Sequence, residues 1–317
     1  RTSDFGYSDD VVKVEESLYK FNNETKEFVG ENTYTTEIKN TYFQKQTLES
    51  YFGENRLIGE YGYRYNPDFT IKEIEYKPIE GKFGYPMKFL FQYEKGKLRK
   101  MIAEGMQTTF YEYDKTGKRT KEIQKDLRNE VVKTILYQDY KNDKTYTKLD
   151  KDGDGTGTDF TKEYFENGLV KHTEFVSGDF KSETSYTYDA FKNIKSQVYD
   201  DGSRIDYSYE LDAKNNRIKI AKLSQALPED NSFTFIKITY ADGTTSGSTN
   251  LDLDFIKKYD EVFREKDSLM QQYQKVVYSR KDYLSVLKGD EDKIEIQDSY
   301  DNNFEKVVQL VDTPEHS

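Results

Sequence analysis

One short pattern recurs through most of this chain and limits what it can fold into. In residues 111–123, YEYDKTGKRTKEI, Tyr111 and Tyr113 fall on one face of a strand, Asp114 to Lys118 form a turn, and Thr120 and Ile123 lie in a returning strand. Strand side chains alternate with period two, so this is the pattern of a β-hairpin. YTYDAFKNIKSQV from Tyr186, YSYELDAKNNRIKIAKL from Tyr207, YRYNPDFTIKEIEY from Tyr63 and FQYEKGKLRKMI from Phe91 repeat it. Looser copies are YFGENRLIGEY from Tyr51, EYFENGLVKHTEF from Glu163, LYKFNNETKEFV from Leu18 and ITYADGTTSGS from Ile238. Six of the eight spacings between successive second aromatics are about 20 to 31 residues, the spacing of a repeat array.

A lone hairpin is marginal in water, so each unit needs neighbours to bury its aromatic face. The chain is only 34% hydrophobic, yet it carries 28 Tyr and 20 Phe. Disordered chains lack such rings, and Tyr suits a half-wet sheet surface. The expected fold is therefore mainly β: an extended or curled antiparallel sheet of repeated hairpins over 1–245, much of it wet on one face. Residues 246–317 form a separate C-terminal segment. Apolar positions in 252–278, including Phe255, Ile256, Tyr259, Val262 and Phe263, recur at three and four, which predicts a helix, with a pair of strands as the competing reading. The runs DKIEIQDSY and FEKVVQLV predict closing strands.

Charge and residue usage exclude several chemistries. The net charge of −11, with basic and acidic residues interspersed, speaks against nucleic acid as a partner. Without cysteine there are no disulfides, thiolate metal sites or thiol nucleophile. No apolar run is long enough to span a bilayer as a helix. Of the two histidines, His316 lies near the chain end and His172 reads as a surface strand residue, so no His-based catalytic set is expected. HExxH, GxSxG and Walker-type loops are absent, and so is Trp, the strongest platform for stacking on sugar rings.

One turn exceeds the needs of a hairpin. In LDKDGDGTGTDF, Asp150, Asp152 and Asp154 stand at the first, third and fifth positions of a calcium-type loop, with Gly155 at the sixth. The twelfth position is Thr161 where a bidentate Glu is expected, leaving Asp159 as the closing ligand of a different loop. The cofactor expectation is none, or a structural calcium on these four aspartates; the competing reading is a bare charged turn.

The recurring Tyr-x-Tyr-Asp-x-x-Gly-Asn/Lys pattern, best at 111–123, 186–198 and 207–220 and weaker over about 18–245, resembles the YD-repeat or Rhs-repeat family, most of all its short members in Bacteroidota cell-envelope proteins. The resemblance implies a β-hairpin array in an extracytoplasmic setting and carries no catalytic residues. This chain is poorer in Gly and shorter than the long members whose sheets curl into a closed shell, so enclosure of a toxin inside such a shell is not expected of it.

It begins RTSDFGYSDD, with neither Met nor an apolar leader. From this and the resemblance, the expectation is a processed surface lipoprotein with a lipid anchor on the missing N-terminal part, at the outer membrane or in the periplasm. It is read as a non-enzymatic scaffold or interaction subunit with protein partners in the cell envelope. Two other classes stay open: a toxin-associated or immunity-type repeat protein, and a surface glycan-binding protein.

Overall fold

The computed structural model describes residues 2, 6–22, 27–52, 55–80, 84–224 and 231–259. Among these, strands follow one another almost without interruption: β1 (Val11–Asn22), β2 (Glu27–Lys39), β3 (Tyr42–Phe52), β4 (Asn55–Tyr65), β5 (Ile71–Glu80), β6 (Met87–Glu94), β7 (Lys97–Ala103), β8 (Gln107–Tyr113) and β9 (Arg119–Asp126). They continue as β10 (Val131–Asn142), β11 (Thr145–Asp152), β12 (Phe160–Glu166), β13 (Leu169–Ser177), β14 (Phe180–Tyr188), β15 (Ile194–Tyr199), β16 (Arg204–Leu211), β17 (Arg217–Ser224), β18 (Ser232–Tyr240) and β19 (Thr245–Gly247). Each strand pairs antiparallel with the next in sequence. The nine stretches quoted above all fall on hairpins of this meander.

The sheet is a closed barrel. β1 pairs with β2 on one side and, from Val11↔Tyr240 to Lys20↔Ser232, with β18 on the other, so eighteen strands form an up-and-down ring. The short β19 pairs with β18 over Lys237–Thr239, beyond the stretch that β17 occupies. This sharpens the extended-or-curled expectation to a closed ring. Bulges supply curvature. The register shifts by one residue beside the turns that follow Tyr65, Tyr93, Tyr113, Tyr188 and Leu211, and each such extra residue bends and twists its strand. Closure also removes the open edges that a long sheet would otherwise expose.

Cross-strand partners share a face, so the two faces can be followed around the ring. One is rich in tyrosine: Gln46, Tyr61 and Tyr76 are in register across β3–β5, and Tyr111, Glu122 and Ile135 across β8–β10. The other carries ion pairs such as Lys13–Glu15, Lys45–Glu60 and Arg64–Glu73. The lysine and arginine ends of these pairs reach solvent, while Glu73 is buried, and a solvent-exposed pair contributes little stability.

Apolar burial concentrates where the ring closes. On one face Val11, Val14, Ile236, Ile238 and Tyr240 form a core with Tyr7 from the preceding segment and Ile38 from β2. On the other, Phe233 and Phe235 are fully buried, with Phe28 and Tyr19 edge-to-face at 5.6 and 5.7 Å. A clasp ties the N-terminal segment to this seam. Ser8 N–H donates to Asn216 Oδ1 (2.7 Å), Asn216 Nδ2 to Tyr240 Oη (3.0 Å), and Tyr240 Oη to Asp212.

A second unit begins at Leu253. Its described part, 253–259, holds α1 (Leu253–Lys257), and the Phe255 and Tyr259 rings meet edge-to-face at 5.3 Å. The rest of the helix expected over 252–278, from residue 260 on, and both predicted closing strands lie outside the described residues. No described helix is long and apolar enough to cross a membrane.

Candidate functional site

The repeated motif has a definite structural task. In the turn after β8, Asp114 Oδ1 accepts the amides of Thr116 and Lys118 at 2.8 and 2.9 Å. Asp126, Asp189 and Asp212 repeat this two- and four-residue reach. These are Asx turns, in which a carboxylate stands in for a backbone acceptor. The tyrosine before the turn binds sideways: Tyr113 Oη donates to Leu98 O (2.9 Å), Tyr188 Oη to Val170 O (2.5 Å) and Tyr209 Oη to Ile194 O (2.7 Å). Each bond crosses to the preceding hairpin, so the aspartate shapes its own unit while the tyrosine joins that unit to its neighbour.

On the tyrosine face, Arg119 and Glu122 satisfy each other. Arg119 Nη1 donates to Glu122 Oε1 (2.8 Å), and Tyr137 Oη donates to the same oxygen (2.5 Å). The guanidinium lies 4.9 Å from the Tyr111 ring centroid and 5.6 Å from that of Tyr137, a cation–π arrangement. Burial pushes the Tyr111 phenol up to about 12, with the Glu122 charge adding to it. Burial opposes the charge on Arg119, but the Tyr137 hydroxyl and Glu122 carboxylate hold its pKa above the ordinary value. Such a network fixes the positions of its members.

A different arrangement occupies the rim beside β3, β4 and β5. A cleft of about 640 Å³ is lined by Tyr42, Tyr63, Tyr65, Phe69, Asp68 and Gln46, among others. Tyr42 and Phe69 stack with centroids 5.0 Å apart and planes 16° from parallel, and Tyr65 stands edge-on to Tyr42 at 5.2 Å. Burial raises the Tyr65 phenol to about 12 and also raises that of Tyr63. Phe69 is 53% exposed and holds φ at 62°. In the corresponding turns that backbone position is taken by Gly117, Lys192 and Asn215. A bulky aromatic in the left-handed region is strained, and such strain persists where the surroundings enforce it. The hydroxyl and amide of Thr70 bind Asp68 Oδ1 at 2.7 and 3.1 Å, which holds the Asp68 carboxyl below its ordinary range.

The four aspartates of the calcium-type loop take separate roles. Asp150, on β11, pairs with Lys133 at 2.9 Å, and Asp152 ends that strand. Asp154 caps its own turn through Thr156, while Asp159 accepts from Ser177 Oγ and Gly178 N–H of the next hairpin, both at 3.1 Å. No group of three or more acidic or histidine side chains among the described residues is gathered for a metal ion. His172 lies on β13 opposite Ser185, its Nδ1 3.3 Å from Ser185 Oγ. The Tyr42–Phe69 platform escaped the sequence reading. Its one signal is the phenylalanine of NPDFT, at a turn position where sibling units carry Gly, Lys or Asn.

No family model matches the chain, and no curated protein does. Among solved structures, a porin-like protein from Bacteroides uniformis is 10% identical, with 73% of this chain covering 97% of that one at a TM-score of 0.44. A TcdB2-TccC3 structure is also 10% identical, with 76% of this chain covering 16% of that one at a TM-score of 0.26. An outer membrane lipoprotein-sorting protein domain from Vibrio parahaemolyticus is 9% identical, with coverage of 78% and 89% and a TM-score of 0.17. At such values the likenesses carry no argument about what this chain does.

Proposed function

We propose that the protein is a non-enzymatic, extracytoplasmic interaction protein of the YD-repeat type, working as a subunit of a cell-envelope complex. The observation that supports this reading is how the repeat spends its polar groups. The turn aspartates cap turns, the tyrosines at strand ends bond to neighbouring hairpins, and Arg119 and Glu122 neutralise each other. What remains is a rigid closed frame with a long charged face and an aromatic one, which serves recognition better than chemistry.

The test is purification of the tagged full chain from its native cell after brief crosslinking, together with membrane fractionation. Recovery of a defined envelope partner, lost on reversing charges such as Lys45 and Arg64, is the expected result. A chain that stays monomeric in the cytosolic fraction, with no crosslinked partner, would sink the proposal.

A further inference from the structure

The geometry points to a saccharide-binding site in the cleft at Tyr42, Tyr63, Asp68 and Phe69, taking a neutral pyranose unit. This goes beyond the interaction reading and does not depend on it. The cleft combines two kinds of surface that a sugar ring needs at once. A pyranose has an apolar face of C–H groups and a rim of hydroxyls. The apolar face packs on aromatic rings, while the rim needs directional donors and acceptors. Here the stacked Tyr42–Phe69 pair is the platform, with Tyr65 edge-on beside it.

The polar groups lie at the same place. Asp68 uses Oδ1 for Thr70, and its Oδ2 has no hydrogen-bond partner among the described residues. The Tyr63 hydroxyl likewise has none among the described residues, and burial raises its pKa further. Gln46 spends its Nε2 on Thr36 Oγ1 (3.0 Å), which leaves its carbonyl oxygen as an acceptor. At about 640 Å³ the cleft falls in the usual range for small-ligand sites. By contrast, Tyr65 Oη is bound to Phe43 O at 2.7 Å, so its hydroxyl serves the frame and only its ring serves the cleft.

Phe69 singles out this turn from its siblings. Glycine would hold φ near 62° without strain, and the phenylalanine ring is largely exposed. A residue that strains its backbone to present an exposed ring is not there for the stability of the turn. Asp68 is an acceptor rather than a cation, which favours hydroxyl donors over phosphate or sulfate.

The experiment is titration calorimetry of the full chain with maltohexaose, cellohexaose, mannohexaose and xylohexaose, on wild type, Phe69→Gly and Asp68→Asn. At least one of the four is expected to bind, with affinity at least tenfold weaker in Phe69→Gly while its melting temperature holds or rises. Asp68→Asn is expected to weaken binding by a smaller factor. The assignment is overturned if none of the four binds at millimolar concentration, or if Phe69→Gly binds as wild type does. It is also overturned if N-acetyl-tyrosinamide occupies the cleft and the sugars do not, since the site would then suit an aromatic side chain.

Discussion

β14 (FKSETSYTY) and β18 (SFTFIKITY) are both nine-residue strands, both end in Thr-Tyr, and both run into an Asp-containing turn. Locally they are the same unit. Yet no residue of β14 is buried, whereas six of nine are in β18, on both faces. The difference is position. β14 sits in the middle of the array between two sequence neighbours, while β18 meets β1 across more than two hundred residues of chain and completes the ring. The repeat therefore supplies a uniform frame held by hydrogen bonds, and the seam supplies the apolar burial that commits the chain to closing.

The largest test of this contrast is truncation on either side of it. Ile238→Ala, at a fully buried seam position, is expected to cost about 2–5 kcal/mol in urea unfolding. Phe180→Ala on β14, where the ring is 61% exposed, is expected to cost under about 1 kcal/mol. Equal costs would mean that stability is spread evenly along the array. The next test uses the same turn twice. Asp212→Ala removes the acceptor for the Tyr240 hydroxyl and two amides, and the buried partners left unpaired put the loss at about 1–3 kcal/mol. At Asp189 the released Phe191 and Asn193 amides lie near solvent, and the loss is expected near 0.5–1.5 kcal/mol. If Asp189→Ala is the more damaging, the seam is not the special region.

The hairpins were legible because their signals are local. Alternation marks the strands, and the Asp-to-amide reach that shapes a turn spans two to four residues. The tyrosine-to-carbonyl bond joins adjacent units, so even the link between neighbours has a trace in the Tyr-x-Tyr spacing. Closure left no such trace. It depends on β1 matching β18 over nine residues, and its sign in the sequence is only that FTFIKITY is more continuously apolar than its siblings. The acidic loop needed the backbone as well: calcium spacing matters only if the chain turns the carboxylates to one point, and here Asp150 and Asp152 lie on a strand while Asp159 reaches another hairpin. The Tyr42–Phe69 pair was hidden because one ring comes from the start of β3 and the other from the turn after β4.

A hydroxyl deletion within the array gives a smaller effect. Tyr188→Phe removes the bond to Val170 O while the ring keeps its packing, so a loss of about 0.5–1.5 kcal/mol is expected. A loss near zero would mean that the tyrosines join hairpins by ring packing alone.

The finest test separates the seam from the array by pH. Burial works against the Asp212 charge, but bonds from Tyr240, Asn216 and Lys214 outweigh it and hold the carboxyl below its ordinary 3.8. The unfolded chain then binds the proton first, so this contribution is present above pH 3.8 and is lost as pH falls through the folded value. Tyr240 mirrors it. Burial, and next the Asp212 contact, push its phenol up to about 12, so its contribution is present below pH 10 and is lost as pH rises toward 12. Asp212→Asn should therefore flatten the acid limb of stability and draw one phenol titration, followed by phenolate absorbance, back toward 10. Asp201→Asn, in an exposed turn whose carboxyl is lowered by Ser203, should flatten the acid limb slightly and leave the phenol titration unmoved. Two variants with the same titration curves would show that the Asp212–Tyr240 contact does not form in solution, and the clasp at the seam would go with it.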